Sequence, residues 1–439
     1  MAKTLRERFQ MTLEHQDPGQ AVLDLGSTPI TGINANALAR LRAALGLEER
    51  KVKIEDPLQL LGQVEEDVRQ ALHLDIVGIT NNMTLYGFPN TGWKPWTMQT
   101  GLEVLVPEKF NTTVDAEGRT YLYPQGDMSV PPAAMMPKDG HFFDNLIRGH
   151  IDYDDDDEPS GRADYFDDFG VYTDEQLRRI EDNCNYYYNN TEYGLIGGGA
   201  LAGLGDFAMI PGPSVKHPKG IRDIAEFMVA HYAFPDYIHE IFEMQLETAL
   251  KNAELFYQAA RDKIQAMQIS GTDFGMQTGP YMTLDSYREF YKPYHKRIND
   301  WVHAHTRWKT FYHSCGSIVA FLQDFHEAGI DILNPVQCSA AGMDPKMLKE
   351  QWGGKFVFWG GGVDTQKTLP FGTPEEVYRE ATERLEIFAR GGRVRGQPRP
   401  QHPEPNQRRE HAGLFPGRAG LQRRALSRTG QEAFKHYED

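Results

Sequence analysis

The segment FYHSCGSI (Phe311 to Ile318) sets His313 and Cys315 two residues apart where a strand-like run ends. Alternate residues leaving a strand project to the same side, so the imidazole and the thiol can converge on one point. That pair suits zinc, which takes histidine nitrogen at about 2.0–2.1 Å and thiolate sulfur at about 2.3 Å. Bound zinc keeps a thiol deprotonated at neutral pH and so prepares a sulfur nucleophile. Two ligands do not complete a site, and the same spacing also describes a buried cysteine beside a hydrogen-bonded histidine. Cys338 is either a third ligand or a small packing residue, and Cys184 sits in a polar, helix-like stretch without a partner motif.

Asp273 in SGTDFG and Asp364 in GGGVDTQ are the candidate catalytic carboxylates, as acid/base or substrate-orienting groups. Either one can equally serve as a loop or helix cap. Asn334, Gln337, Gly361, Gln366 and Tyr281 are the candidate substrate-binding residues. The run Gly360 to Gly362 lets a phosphate or a bulky cofactor approach the backbone, or simply makes a tight turn. Tyr287, Tyr291 and Tyr294 follow at helical spacing, which also fits a core.

These residues share a position relative to the elements that carry them. Strand-like runs recur at 193–197, 264–269, 308–313, 331–336 and 355–360, and helical patterns separate them at 220–232, 235–263, 284–306, 318–328, 345–351 and 374–389. Strands alternating with helices imply parallel βα units. With no dinucleotide fingerprint among them, a (β/α)8 barrel is expected, and its active site belongs at the C-terminal ends of the strands. Four consecutive units end there in polar or glycine-rich clusters. Upstream, helices are expected at 4–15, 37–45 and 57–72, a strand at 75–79, and an inserted β-hairpin within 110–127 turning at Asp115 to Gly118. The five acids of Asp154 to Glu158 read as a solvated loop.

The 439 residues carry a net charge of −16, with 40% apolar and 25% charged residues. Those proportions exclude a disordered chain, and the acidic balance argues against nucleic-acid or anionic-membrane binding. Three cysteines are too few for a disulfide framework. No secretory signal and no run of 18 apolar residues is visible, so a cytoplasmic enzyme without membrane spans is expected.

Together the segments at 271–298, 311–318, 331–349 and 358–377 resemble the uroporphyrinogen decarboxylase-like superfamily, and the N-terminal helix followed by DPGQAVLDLGST also fits. The resemblance spans roughly Leu5 to Gly392. It implies a (β/α)8 barrel with one of two chemistries. One branch decarboxylates uroporphyrinogen III in porphyrin biosynthesis without a cofactor. The other moves methyl groups between corrinoid proteins and thiols, using zinc bound through a His-x-Cys pair and a later cysteine. His313-Ser314-Cys315 matches that pair, while the decarboxylases' R-Q-A-G-R signature is absent. The resemblance therefore favours a zinc-dependent methyltransferase with a corrinoid protein, or a small-molecule methyl donor or acceptor, as partner. A porphyrin decarboxylase and a non-catalytic binding paralogue are the alternatives.

The charge is uneven. Residues 391–439 hold ten basic groups against five acids, a net of +5, so the first 390 residues carry −21. This tail, rich in Pro, Gly and Arg, stands where the resemblance implies one more strand and helix to close the barrel. Residues 1–392 therefore read as one barrel domain and 393–439 as a disordered extension. A one-nucleotide shift across Val394 to Glu404 permits Phe-Val-Ala-Asn-Pro-Val-His-Asn-Ile-Gln, which resembles the superfamily's closing strand, so the tail reads as a frameshift product; the alternative is a genuine basic, Pro-rich tail that binds something acidic. Restoring the frame should raise both solubility and activity. No change in either counts against a frameshift.

Overall fold

The computed structural model describes residues 3–388 apart from 155, 200 and 202. The expected closing βα unit, the 392/393 boundary and the basic tail lie outside the described residues. Among the described residues no helix is long and apolar enough to cross a membrane.

The chain begins with α1 (Leu5–Leu13), whose first turn is closed by a capping box between Thr4 and Glu7. One face of α1 buries Phe9 and Leu13. The first long apolar strand is β1 (Ile76–Ile79). A long helix, α2 (Asp174–Asn190), leads to β2 (Gly194–Gly197), and α3 (Ile224–Ala233) with α4 (Pro235–Ala260) leads to β3 (Ala266–Ser270). Then come α5 (Leu284–Phe290), α6 (Lys292–His305), β4 (Lys309–His313), α7 (Leu322–Glu327), β5 (Ile332–Asn334), α8 (Pro345–Trp352), β6 (Val357–Phe358) and α9 (Pro374–Phe388).

The six strands form one parallel sheet in the order β6-β5-β4-β3-β2-β1, each beside its successor in the chain. This is the singly wound α/β arrangement the alternation predicts. Among the described residues β1 and β6 are the ends of the sheet, and no pairing joins them into a closed eight-stranded barrel.

Period-two alternation divides the core. Met267, Ile269, Tyr312 and Leu333 face outward into the helical layer, which also contains Phe242, Phe256, Tyr287, Tyr291 and Phe325. Ile76, Ile196, Ala266, Phe311, Ile332 and Val357 face inward and pack with Phe9 and Leu13 of α1. The concave side is therefore plugged by the first helix. At Gly194 a Cβ would lie 2.4 Å from the Phe9 ring, so the small residue makes room for the plug.

The N-terminal segment also lies against the inner face of β1. A Cβ at Gly78 would fall 1.6 Å from the carbonyl oxygen of Ser27, so only glycine permits that approach. The Asp75 carboxylate joins the pieces. It is fully buried, pairs with Arg8 of α1, and accepts from the Leu23 N–H at 2.7 Å. At the far end of the sheet the Trp359 indole donates to Asp24 at 3.1 Å and stacks on Phe311 at 4.9 Å.

Two helical expectations need correction. Residues 57–72 form a turn, a two-residue strand at Leu61–Gly62 paired with Ile54–Asp56, and a helix only over Glu66–Leu72. A helix there is prevented by packing: a Cβ at Gly62 would lie 2.6–2.7 Å from Val52 and Leu38. Residues 284–306 form two helices, broken at Tyr291–Lys292 ahead of Pro293, which has no N–H to continue the ladder. The hairpin forms at 112–114 and 120–122 and extends with 134–136 and 144–145 into a four-stranded antiparallel sheet.

Replacing Asp75 by Ala strands a buried guanidinium and an unpaired N–H. Urea denaturation should show a loss of about 3–5 kcal/mol.

Candidate metal centre

The loops after β3 and β4 pack backbone against backbone. A Cβ at Gly316 would meet the Gly275 carbonyl at 2.2 Å, and one at Gly275 would meet the Ser317 nitrogen at 2.5 Å. Gly316 also has φ +79°, a conformation L side chains rarely adopt. Ser314 Oγ accepts from the Phe274 N–H at 2.9 Å and ties the loops together. These glycines bring Asp273 to His313 and Cys315. Cys315 Sγ lies 3.3 Å from His313 Nε2, and Asp273 Oδ1 lies 3.6 Å from the same nitrogen. The same carboxylate oxygen accepts from the Cys315 N–H at 2.7 Å. The three ligand atoms lie within 4.8 Å of one another, the one such group of three among the described residues.

The histidine is prepared as a ligand from behind. Asn334 Nδ2 donates to the Trp359 carbonyl at 3.1 Å, so its Oδ1 is left to accept from His313 Nδ1 at 2.6 Å. With the proton on Nδ1, the lone pair of Nε2 faces the thiol and the carboxylate. Burial pushes the Cys315 thiol up to about 12, and the adjacent Asp273 charge adds to the shift. The donor set fits a divalent cation: it would replace the proton on sulfur and balance the carboxylate.

The remaining sequence candidates fall elsewhere. Asp364 Oδ1 accepts from the backbone N–H groups of Gln366 and Lys367 at 2.8 and 3.2 Å, so it organises its own loop. Gln366 meets it through that backbone group. Gln337 Oε1 accepts from Gly316 N at 2.5 Å and braces the Cys315 loop. Gly361 takes φ +71°, with Cys338 Sγ 3.3 Å from where its Cβ would be. Cys338 points to the carbonyls of Val336 and Gly361 and stands outside the three-residue donor set. Tyr281 is 42% exposed and its ring lies 5.6 Å from that of Phe207. Tyr287 and Tyr291 are core residues, and Cys184 is buried in α2 with its thiol pushed up to about 12.

Asp206 was not singled out from the sequence. Its carboxyl caps the turn at Phe207–Met209, is shifted upward by burial, and responds to both Asp273 and His313. The signal was available: Asp206 ends a glycine-rich run after β2, as Asp273 does after β3. A cleft of about 1140 Å³ does not coincide with the centre. It lies between Asn34–Arg40, His141–Ile147 and Phe207–Ala225, and none of the three donor residues lines it.

The Asn334 bond generates a test. Asn334→Leu cannot hold the Nδ1 proton in place, and Co2+ affinity measured by competition with a chelator should fall about 10–100-fold. Unchanged affinity would remove the tautomer argument.

Residues 216–396 match the model of the family described as uroporphyrinogen decarboxylase (URO-D). Among solved structures the chain is similar to a methyltransferase from Methanosarcina mazei, at 13% identity over 98% of this chain and 99% of that one, with a TM-score of 0.48. No curated protein matches the chain. The match at 216–396 runs from ahead of α3 through α9, so the similarity to that family takes in all three donor residues.

Proposed function

We propose that this chain is a zinc-dependent methyltransferase that moves a methyl group between a corrinoid protein and a thiol or related acceptor. The meeting of His313 Nε2, Cys315 Sγ and Asp273 Oδ1 at the C-terminal ends of β3 and β4 carries this reading. One imidazole, one thiolate and one carboxylate suit zinc, and three protein ligands leave a position for substrate. When bound, zinc supplies Lewis acidity that holds a substrate sulfur as thiolate near neutral pH.

The chain's own residues do the positioning. Asn334 directs the Nε2 lone pair of His313 into the centre. Asp273 orients the Cys315 backbone as well as offering a ligand oxygen. Tyr281 and Phe207 form an aromatic edge beside the loop that carries Asp273. In the reaction a sulfur–carbon bond forms as the bond between the methyl group and its carrier breaks. The thiol proton leaves to solvent when the sulfur binds.

The family match favours a second reading, decarboxylation of a porphyrinogen. A polycarboxylate needs arginine or lysine partners. The charged group that meets His313 and Cys315 is instead the Asp273 carboxylate.

Metal analysis of the full chain should find about one zinc per chain, lost in both His313→Ala and Cys315→Ala. Zinc retained at full occupancy in His313→Ala would sink the ligand assignment. Turnover of uroporphyrinogen to coproporphyrinogen would establish the second reading instead.

A further inference from the structure

Gln268 stands in the middle of β3, on the strand that leads to Asp273. Its neighbours Met267 and Ile269 face the helical layer, and Ala266, two residues before it, faces the concave interior. By alternation Gln268 also points inward. It pairs in register with Phe311 of β4, two residues before His313 on the same face. The floor beneath the centre is therefore an aromatic shelf of Phe311 and Trp359 with one primary amide beside it.

That amide is an exception to the order around it. Gln268 is 6% exposed, and among the described residues its Oε1 is buried without a hydrogen-bond partner. Burying an amide unpaired costs desolvation with no return, whereas Leu or Met would fill the same volume without that cost. Inward-facing Asn334 and Trp359, by contrast, are both hydrogen-bonded. An unpaired amide held beside a candidate centre is the arrangement expected of a group that pairs with a ligand.

We infer that Gln268 is a specificity-determining residue that hydrogen-bonds an uncharged polar group of the substrate held at the His313–Cys315–Asp273 centre. An amide offers both a donor and an acceptor, so its natural complement is another amide or a similar neutral group. A carboxylate is a poorer complement. A carboxylate only accepts and would leave the Gln268 Oε1 unpaired, and the acidic groups Asp206 and Asp273 lie together here. The substrate class is thus a thiol bearing a neutral hydrogen-bonding group a short chain away from sulfur. This inference rests on the thiol-binding reading above.

The test uses full-length protein loaded with Co2+, with the thiolate-to-cobalt absorption band as readout. Three probes of similar size are compared: 3-mercaptopropionamide, 3-mercaptopropionate and 3-methylbutane-1-thiol. The amide should bind at least about tenfold more tightly than either of the others, the loss typical when a polar group is left unpaired. Gln268→Leu should abolish that preference, leave binding of 3-methylbutane-1-thiol and the metal affinity unchanged, and raise the thermal midpoint. A purely structural role predicts a lower midpoint and no change in preference, and either result overturns the inference. Equal affinities for the three probes, or tightest binding of the carboxylate, overturn it while leaving the thiol reading intact. If no thiol perturbs the band, both fall.

Discussion

Parallel pairing with a two-residue side-chain period is the constraint on which the rest of this protein depends. Because β3, β4, β5 and β6 run side by side in one direction, their C-terminal ends lie at one edge of the sheet. Because alternate residues share a face, Ala266, Phe311, Ile332 and Val357 fill the interior, and His313, Asn334 and Trp359 follow one step beyond them. A one-residue slip of β4 would turn His313 into the helical layer and exchange it with Tyr312. The chemistry of the centre is thus inseparable from the register that buries Phe311.

The centre is also a product of backbone contact. Its three donors come from the end of β4 and the two loops after β3 and β4, and these loops meet only because Gly275 and Gly316 have no side chains at the point of closest approach. Ser314 and Gln337 then hold the two loops by hydrogen bonds to backbone N–H groups. The supporting parts are therefore sheet ends and glycine contacts, and the donor side chains ride on them. The N-terminal segment completes this frame from the other side: Asp75 anchors α1 and Leu23, and Asp24 receives the indole of Trp359, whose carbonyl orients Asn334.

Much of this was legible in the amino-acid order. The βα alternation, the hairpin near residue 115, and the pairing of His313 with Cys315 all follow from periodicity and spacing. The helix expected over 57–72 was less tractable, because Gly62 is dictated by its contacts with Val52 and Leu38, residues read as unrelated to it. The long helix expected over 284–306 broke where Pro293 removes a donor, a signal present in the sequence and outweighed there by strong helical spacing.

Local order alone sufficed for what depends on near neighbours: which segments become strands, which end in polar loops, and which residues have donor chemistry. It marked Cys338 as a third ligand or packing residue and Asp273 as a catalytic or capping carboxylate, and spacing does not say which joins His313 and Cys315. That choice belongs to the folded chain, in which glycine contacts draw Asp273 into the donor set and leave Cys338 facing carbonyls. The roles of Asn334 and Gln268 arise in the same way. One amide is satisfied between His313 and Trp359 and the other has its oxygen buried without a partner among the described residues, a difference that exists only once separate strands surround them.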